Sequence, residues 1–203
     1  MAITISKNKE LQWVKEGRVF YATHGALTTP AAFETDLVRQ TPDLMVRVPR
    51  NVVIVPIRVS VIAEATAATA ANAGFQCLIS VCNNDPGTTG RTAFTPINVN
   101  TRYATTGSTV TAYITSTDNS GTAPAGVSDL LRCYVEVDVD SVTGVANFDQ
   151  VVYSPLWGKG TPAIVGNDNN TNAFMVYVGN NTSSTGYILA AWAEFTYAEF
   201  YAA

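Results

Sequence analysis

Three carboxylates, Glu136, Asp138 and Asp140, recur at every second position of one apolar run. On a β-strand alternate residues share a face, so these three would present a row of oxygens. Calcium would need six to eight such oxygens, some from a loop such as Asn167 to Asn170. The plainer role is a solvated strand face that resists edge-to-edge association; no metal ligand is assigned, and calcium stays open as the alternative. His24 is the one histidine. No Gly-x-Ser-x-Gly elbow accompanies it, so it reads as a strand-end histidine near the surface. Cys77, Cys82 and Cys133 lack the Cys-x-x-Cys spacing of zinc or redox sites. Cys77 and Cys82 lie five apart on one run, so they point to opposite faces and do not pair with each other. All three read as buried free thiols. Arg39, Arg47, Arg50 and Arg58 form the one basic concentration, without the interleaved aromatics of single-strand binding. Ion pairs are expected of them, with Glu34, Asp36 and Asp43 as nearby partners. Among the 16 acidic residues no glycosidase-like pair stands out. No phosphate-cradling glycine motif is present. No catalytic residue, metal ligand or cofactor site is assigned, and the chain is not expected to be an enzyme.

The elements that would carry these residues are nearly all strands. Arg18 to Thr23 and Leu44 to Val48 are short β-rich runs. Val52 to Ile62 is dense in β-branched residues, and its Pro56 indicates an edge or a bulge. Ala63 to Ala73 is the one place where a helical turn competes with a small-residue loop. Phe75 to Cys82 is a near-continuous apolar strand stopped by Asn83-Asn-Asp-Pro-Gly87. Thr109 to Thr115 alternates. From Leu131 to Asp140, Leu131, Cys133, Val135, Val137 and Val139 take one face and Arg132, Tyr134, Glu136, Asp138 and Asp140 the other. Gln150 to Tyr153, Ala173 to Val178 and a long aromatic run, Tyr187 to Tyr201, complete the set. Eight to ten strands at this spacing predict an all-β sandwich or barrel in a single domain, residues 1–203, with 1–17 as an N-terminal arm.

Composition narrows the function. The chain has 203 residues, of which 47% are hydrophobic and only 14% charged, so a folded, core-rich protein is expected. A net charge of −4 gives no general attraction to nucleic acid or anionic membrane. No run approaches the about 20 apolar residues of a transmembrane helix. The first ten residues show no signal peptide, so Asn169, Asn180 and Asn181, which fit the Asn-x-Ser/Thr pattern, read as polar loop residues. Low charge suits a surface covered by neighbours, and an apolar C-terminal strand should pack centrally or against a partner. Together they point to an oligomer of closed symmetry.

The closing segment, Gly186-Tyr-Ile-Leu-Ala-Ala-Trp-Ala-Glu-Phe195, resembles the last strand of viral single jelly-roll proteins, where a Gly-led turn feeds a long strand ending in an acidic–aromatic step. The Thr/Ala/Asn-rich, cysteine-poor chain is also similar to tailed-phage and other virion proteins, including trimeric capsid-decorating proteins of the tumour-necrosis-factor-like type. The resemblance implies a jelly roll and a structural role, as a capsid shell or capsid-decorating subunit in a homotrimer or larger shell. Such a subunit would be made in a host cytoplasm and located in the virion, with itself and other capsid proteins as partners. Coat proteins that package naked RNA often carry a basic arm. This N-terminus has only Lys7, Lys9 and Lys15, so no direct contact with the genome is expected. Trp192, Phe195, Tyr197 and Phe200 are assigned to core or oligomer contacts. The loops Asn83 to Arg91, Asp118 to Gly126 and Gly166 to Asn172 are assigned to shell contacts. The alternative is a trimeric binding module of the tumour-necrosis-factor or complement-C1q kind, or a phage receptor-binding protein for a carbohydrate or protein, with Trp157 as the loop aromatic that would seed its site.

Overall fold

A computed structural model describes residues 7–25, 31–32, 37–67, 73–115, 122–137, 145–153, 163–166, 172–180 and 187–201. One helix, α1 (Lys7–Lys15), leads into β1 (Val19–His24), β2 (Ala31–Ala32), β3 (Leu44–Val48), β4 (Val52–Ala67) and β5 (Ala73–Cys82). Then come β6 (Arg91–Phe94), β7 (Ile97–Asn98), a 3-10 turn (Thr101–Tyr103), β8 (Thr111–Thr115) and β9 (Ser128–Val137). The chain closes with β10 (Val145–Tyr153), β11 (Ile164–Val165), β12 (Asn172–Asn180) and β13 (Tyr187–Tyr201). Two antiparallel sheets result, consistent with a β-sandwich. Sheet one runs β10-β4-β13-β1-β7, with β11 beside β4 and β2 beside β13. Sheet two runs β6-β8-β3-β12-β5-β9.

The spine of sheet one is the pairing of β4 with β13, from Tyr187 opposite Ala67 to Tyr201 opposite Val52. Pro56 therefore lies in a central strand, and the bulge is the outcome: Thr196 faces Arg58 and Tyr197 faces Pro56, leaving Ile57 unmatched. On the other side of β4, β10 begins at Val59 and β11 covers Ile54 and Val53. Pro56 thus sits where both ladders are irregular, and a residue without an N–H costs least there. Of the Ala/Thr stretch, residues 63–67 differ from the expected turn or loop, and residues 68–72 lie outside the described residues. β4 continues through Ala67 because β10 and β13 flank it and take up its backbone groups, which overrides a weak local preference.

Alternation puts one face of each sheet into a shared interior. Phe20, Ala22, Val59, Val61, Phe195 and Tyr197 from sheet one meet Leu44, Val46, Cys77, Ile79, Phe174 and Val176 from sheet two. The rings of Phe174 and Phe195 stack across the interior, with centroids 3.9 Å apart. Smaller clusters seal parts of the outer faces. On sheet two, Met45, Leu78, Met175 and Tyr177 pack with Leu37, and the Tyr177 hydroxyl donates to the Arg39 carbonyl at 3.0 Å. On sheet one, Trp13 and Val14 of α1 cover Val19, Val55, Ile57 and Ala198, with Trp13 edge-on to Phe200.

The segment expected as an N-terminal arm thus holds a helix docked on sheet one. Its end is a Schellman turn: Arg18 N–H donates to Trp13 C=O, Gly17 N–H donates to Val14 C=O, and Gly17 takes φ 71°. A Cβ at Gly17 would come within 2.6 Å of the Tyr103 ring, so only glycine fits between helix and turn. No helix among the described residues is long and apolar enough to cross a membrane.

Candidate functional site

A concave feature among the described residues is a groove beside α1. Its floor is the outer face of sheet one, where Val19 and Tyr21 of β1, Ile57 and Arg58 of β4, and Glu194 and Thr196 of β13 lie side by side. Glu10 and Val14 of α1 form one wall and Val99 the other, around about 360 Å³. The bulge at Ile57 turns both Ile57 and Arg58 into the groove. Arg58 donates to Glu194 at 2.9 Å, and Thr196 Oγ1 donates to the same carboxylate at 3.3 Å. The lining offers two carboxylates, one guanidinium and one phenol above apolar side chains. That combination suits a small polar ligand or an inserted side chain. No histidine, cysteine or lysine lies among the described lining residues.

Of the four clustered arginines, Arg39, Arg47 and Arg58 make ion pairs, with partners far along the chain. Arg39 holds Asp129 through two bonds of 2.9 and 2.8 Å. Arg47 pairs with the buried Asp85 and sits over the Tyr113 ring. Arg58 takes Glu194. Asp43, expected as an arginine partner, accepts the Val178 N–H at 2.6 Å inside the protein. His24 is a strand-end residue as read, but it is buried rather than near the surface, with 6% exposure. Its Nδ1–H donates to the Asp43 carbonyl at 2.9 Å. Burial lowers its pKa and keeps the ring neutral at pH 7.

A second polar cluster lies at one end of the sandwich. Glu199 of β13, 7% exposed, accepts from the Thr109 N–H at 3.1 Å and from the Ser108 and Thr109 hydroxyls. Ser108 Oγ also meets the Tyr197 hydroxyl at 2.9 Å and accepts the Val110 N–H at 3.0 Å. A serine held by a carboxylate is the start of a nucleophile. Here, however, three donors from one turn converge on Glu199, which makes the cluster a clasp fixing 108–110 to the last strand. Sequence reading missed it because the partners lie about 90 positions apart and no local spacing marks them.

Of the four aromatics assigned to core or oligomer contacts, Phe195 and Tyr197 are fully buried between the sheets. Phe200 packs on α1, and Trp192 is half-buried on the outer side of β13. Cys77 faces the interior and Cys82 the outer cluster of sheet two, opposite faces as their spacing requires. Cys133 is half-buried against the interior. Asp138, Asp140, Trp157, Asn169 and Asn181 lie outside the described residues, as does the side chain of Glu136. The described residues contain no group of three acidic, histidine or cysteine side chains that could hold a metal. No protein-family model matches the chain, and no curated protein or solved structure matches it either.

Proposed function

We propose that this chain is a self-associating structural subunit built on a jelly roll, of the kind that forms or decorates a viral shell. The strand order supports the fold. Among the longer strands, β10-β4-β13-β1 lie in one sheet and β3-β12-β5-β9 in the other. Leaving aside the excursion through β6, β7 and β8, the chain changes sheet at every step except β5 to β9. Two Greek keys in tandem produce that alternation.

Fold alone does not carry function. The observation that carries self-association is an apolar strip beside the groove. Ile97 stands opposite Tyr21 and Val99 bonds to Val19, so both lie on the outer face of sheet one, 51% and 41% exposed. In a chain with only 14% charged residues, such a strip is best covered by a second copy. The viral setting rests on the Gly186 to Phe195 resemblance together with this strand order.

The test is the solution mass by light scattering on a sizing column. A trimer of about 65 kDa, three copies of 21.6 kDa, or a larger particle supports the reading. A monomer at micromolar concentration overturns it. The groove favours a second reading, a ligand-binding module, since about 360 Å³ lies within the size range of small-molecule sites. A glycan and small-molecule panel titrated by calorimetry against the wild type and Arg58→Ala checks it. Binding that Arg58→Ala removes would support this reading.

A further inference from the structure

Cys77 on β5 stands directly opposite Cys133 on β9 in the antiparallel register. Opposite residues in such a ladder share a face, and both thiols face the interior, Cys77 fully buried and Cys133 half-buried. The Cα separation of an opposed pair is about 4.5 or 5.5 Å, according to the phase of the ladder. Either value falls within the roughly 4.4–6.8 Å that a disulfide spans. The two thiols are therefore neighbours on that face. β9 is the edge strand of sheet two, which leaves Cys133 approachable from the side of the sandwich. Cys82 is on the other face, its Sγ 3.9 Å from the Ala173 carbonyl and 3.8 Å from Met175 Sδ.

We propose that Cys133 and Cys77 are a peroxide-reactive thiol pair, with Cys133 the attacking thiolate and Cys77 the resolving thiol. The asymmetry of the site assigns these roles. Cys133 is half open and Cys77 is not, and the neighbouring Cys77 draws the Cys133 thiol below its ordinary value. The nearness of Cys133, together with burial, pushes Cys77 well up. Burial also raises Cys82, to about 11.

In the first step the Cys133 thiolate attacks one oxygen of hydrogen peroxide. The S–O bond forms, the O–O bond breaks, and the hydroxide that leaves is protonated to water. In the second step the Cys77 sulfur attacks the Cys133 sulfenic acid. The S–S bond forms, the S–O bond breaks, and the departing hydroxide takes the Cys77 proton as a second water. Two thiols lose two electrons and one peroxide becomes two waters. The product ties edge strand β9 to β5, which is itself paired to β12.

The experiment treats reduced, folded protein with stoichiometric hydrogen peroxide and reads it by intact mass and peptide mapping. The expected result is a loss of about 2 Da with Cys77 and Cys133 joined and Cys82 still reduced. The rate should fall as the pH is lowered from 7 to 6, because the thiolate is protonated. Cys133→Ser should not react, and Cys82→Ala should react like the wild type. Cys77→Ala should stop at a sulfenic acid trapped by a cyclic 1,3-diketone. The proposal is overturned if Cys133 proceeds to sulfinic acid beside a reduced Cys77, if folded protein leaves both thiols unchanged, or if Cys82 enters the disulfide. Because the wild-type map alone separates these outcomes, a Cys77 variant that fails to fold leaves the test intact.

Discussion

Along β13 the inward residues Ala193, Phe195 and Tyr197 are fully buried, whereas the outward Trp192, Glu194 and Thr196 are only half-buried beside a groove. The two faces alternate on one backbone and share its hydrogen bonds, so the ladder cannot explain the contrast. Side-chain partners do. Phe195 stacks on Phe174 across the interior and on Tyr197 along the strand, and apolar atoms surround it. Glu194 instead meets a guanidinium and a hydroxyl, Arg58 and Thr196, in a cleft open to water. The inner face supplies stability through burial, and the outer face supplies the polar contrast that a partner or ligand could read.

The largest test of that division is Phe195→Ala. Removing a fully buried ring from between two sheets should cost about 3–5 kcal/mol, read as a lower urea midpoint. A loss below about 1 kcal/mol would mean that the sheets close over the gap and that the stack matters little. Next comes Glu199→Ala, which leaves the Thr109 N–H and the Ser108 and Thr109 hydroxyls without their acceptor. The expected cost is about 2–3 kcal/mol by the same measurement. Hydrogen exchange should also rise first at Thr109, because the clasp holds that turn.

The inner face was legible in the sequence, and the outer face was not. Leu44 to Val48 and Tyr187 to Tyr201 announce their strands residue for residue, since β-branched and aromatic side chains at alternating positions specify a pleated, half-buried segment. α1 leaves no comparable mark. Nine residues are too few to be helical alone. The helix is held instead by tertiary bonds, Asn100 Nδ2 to the Val14 carbonyl at 2.9 Å and Asn98 Nδ2 to the Gly17 carbonyl at 2.7 Å. The groove depends on that helix, so it was hidden with it. The ion pairs were expected for Arg39, Arg47 and Arg58, but their partners are set by register: Asp129, Asp85 and Glu194 lie between 38 and 136 positions away. The opposition of Cys77 and Cys133 has the same origin, for a strand's register with a distant neighbour is not written in either strand alone.

His24 bears on the inner face through pH. Burial lowers its folded pKa below the ordinary 6.5. In the window between the folded value and 6.5 the unfolded chain holds a proton that the folded chain does not. Stability from this group is therefore complete above pH 6.5 and falls as the pH drops through that window. One proton limits the slope to about 1.4 kcal/mol per pH unit. His24→Asn retains a donor for the Asp43 carbonyl and removes the titration. The difference between the wild-type and variant urea midpoints should therefore change below pH 6.5 and stay constant above it. Parallel curves would place the pH dependence in another group.

Substituting the outer strip should disturb folding least. Ile97 and Val99 are already half in water, so Ile97→Asp with Val99→Asp removes little buried area and should shift stability by no more than about 1 kcal/mol. The solution mass should respond very differently. Two carboxylates placed on an apolar strip meet their own copies or another apolar face across the contact, and a desolvated, unpaired charge is among the costliest defects an interface can hold. If the strip is where subunits meet, the wild-type oligomer should fall to the 21.6 kDa monomer while the unfolding curve barely moves. That pairing of results is the mirror image of Phe195→Ala, which should lower the urea midpoint by acting inside each subunit rather than between subunits. An oligomer that survives both aspartates would move the contact away from this strip, toward the edge strands β9 and β10, whose outer backbone groups have no ladder partner among the described residues.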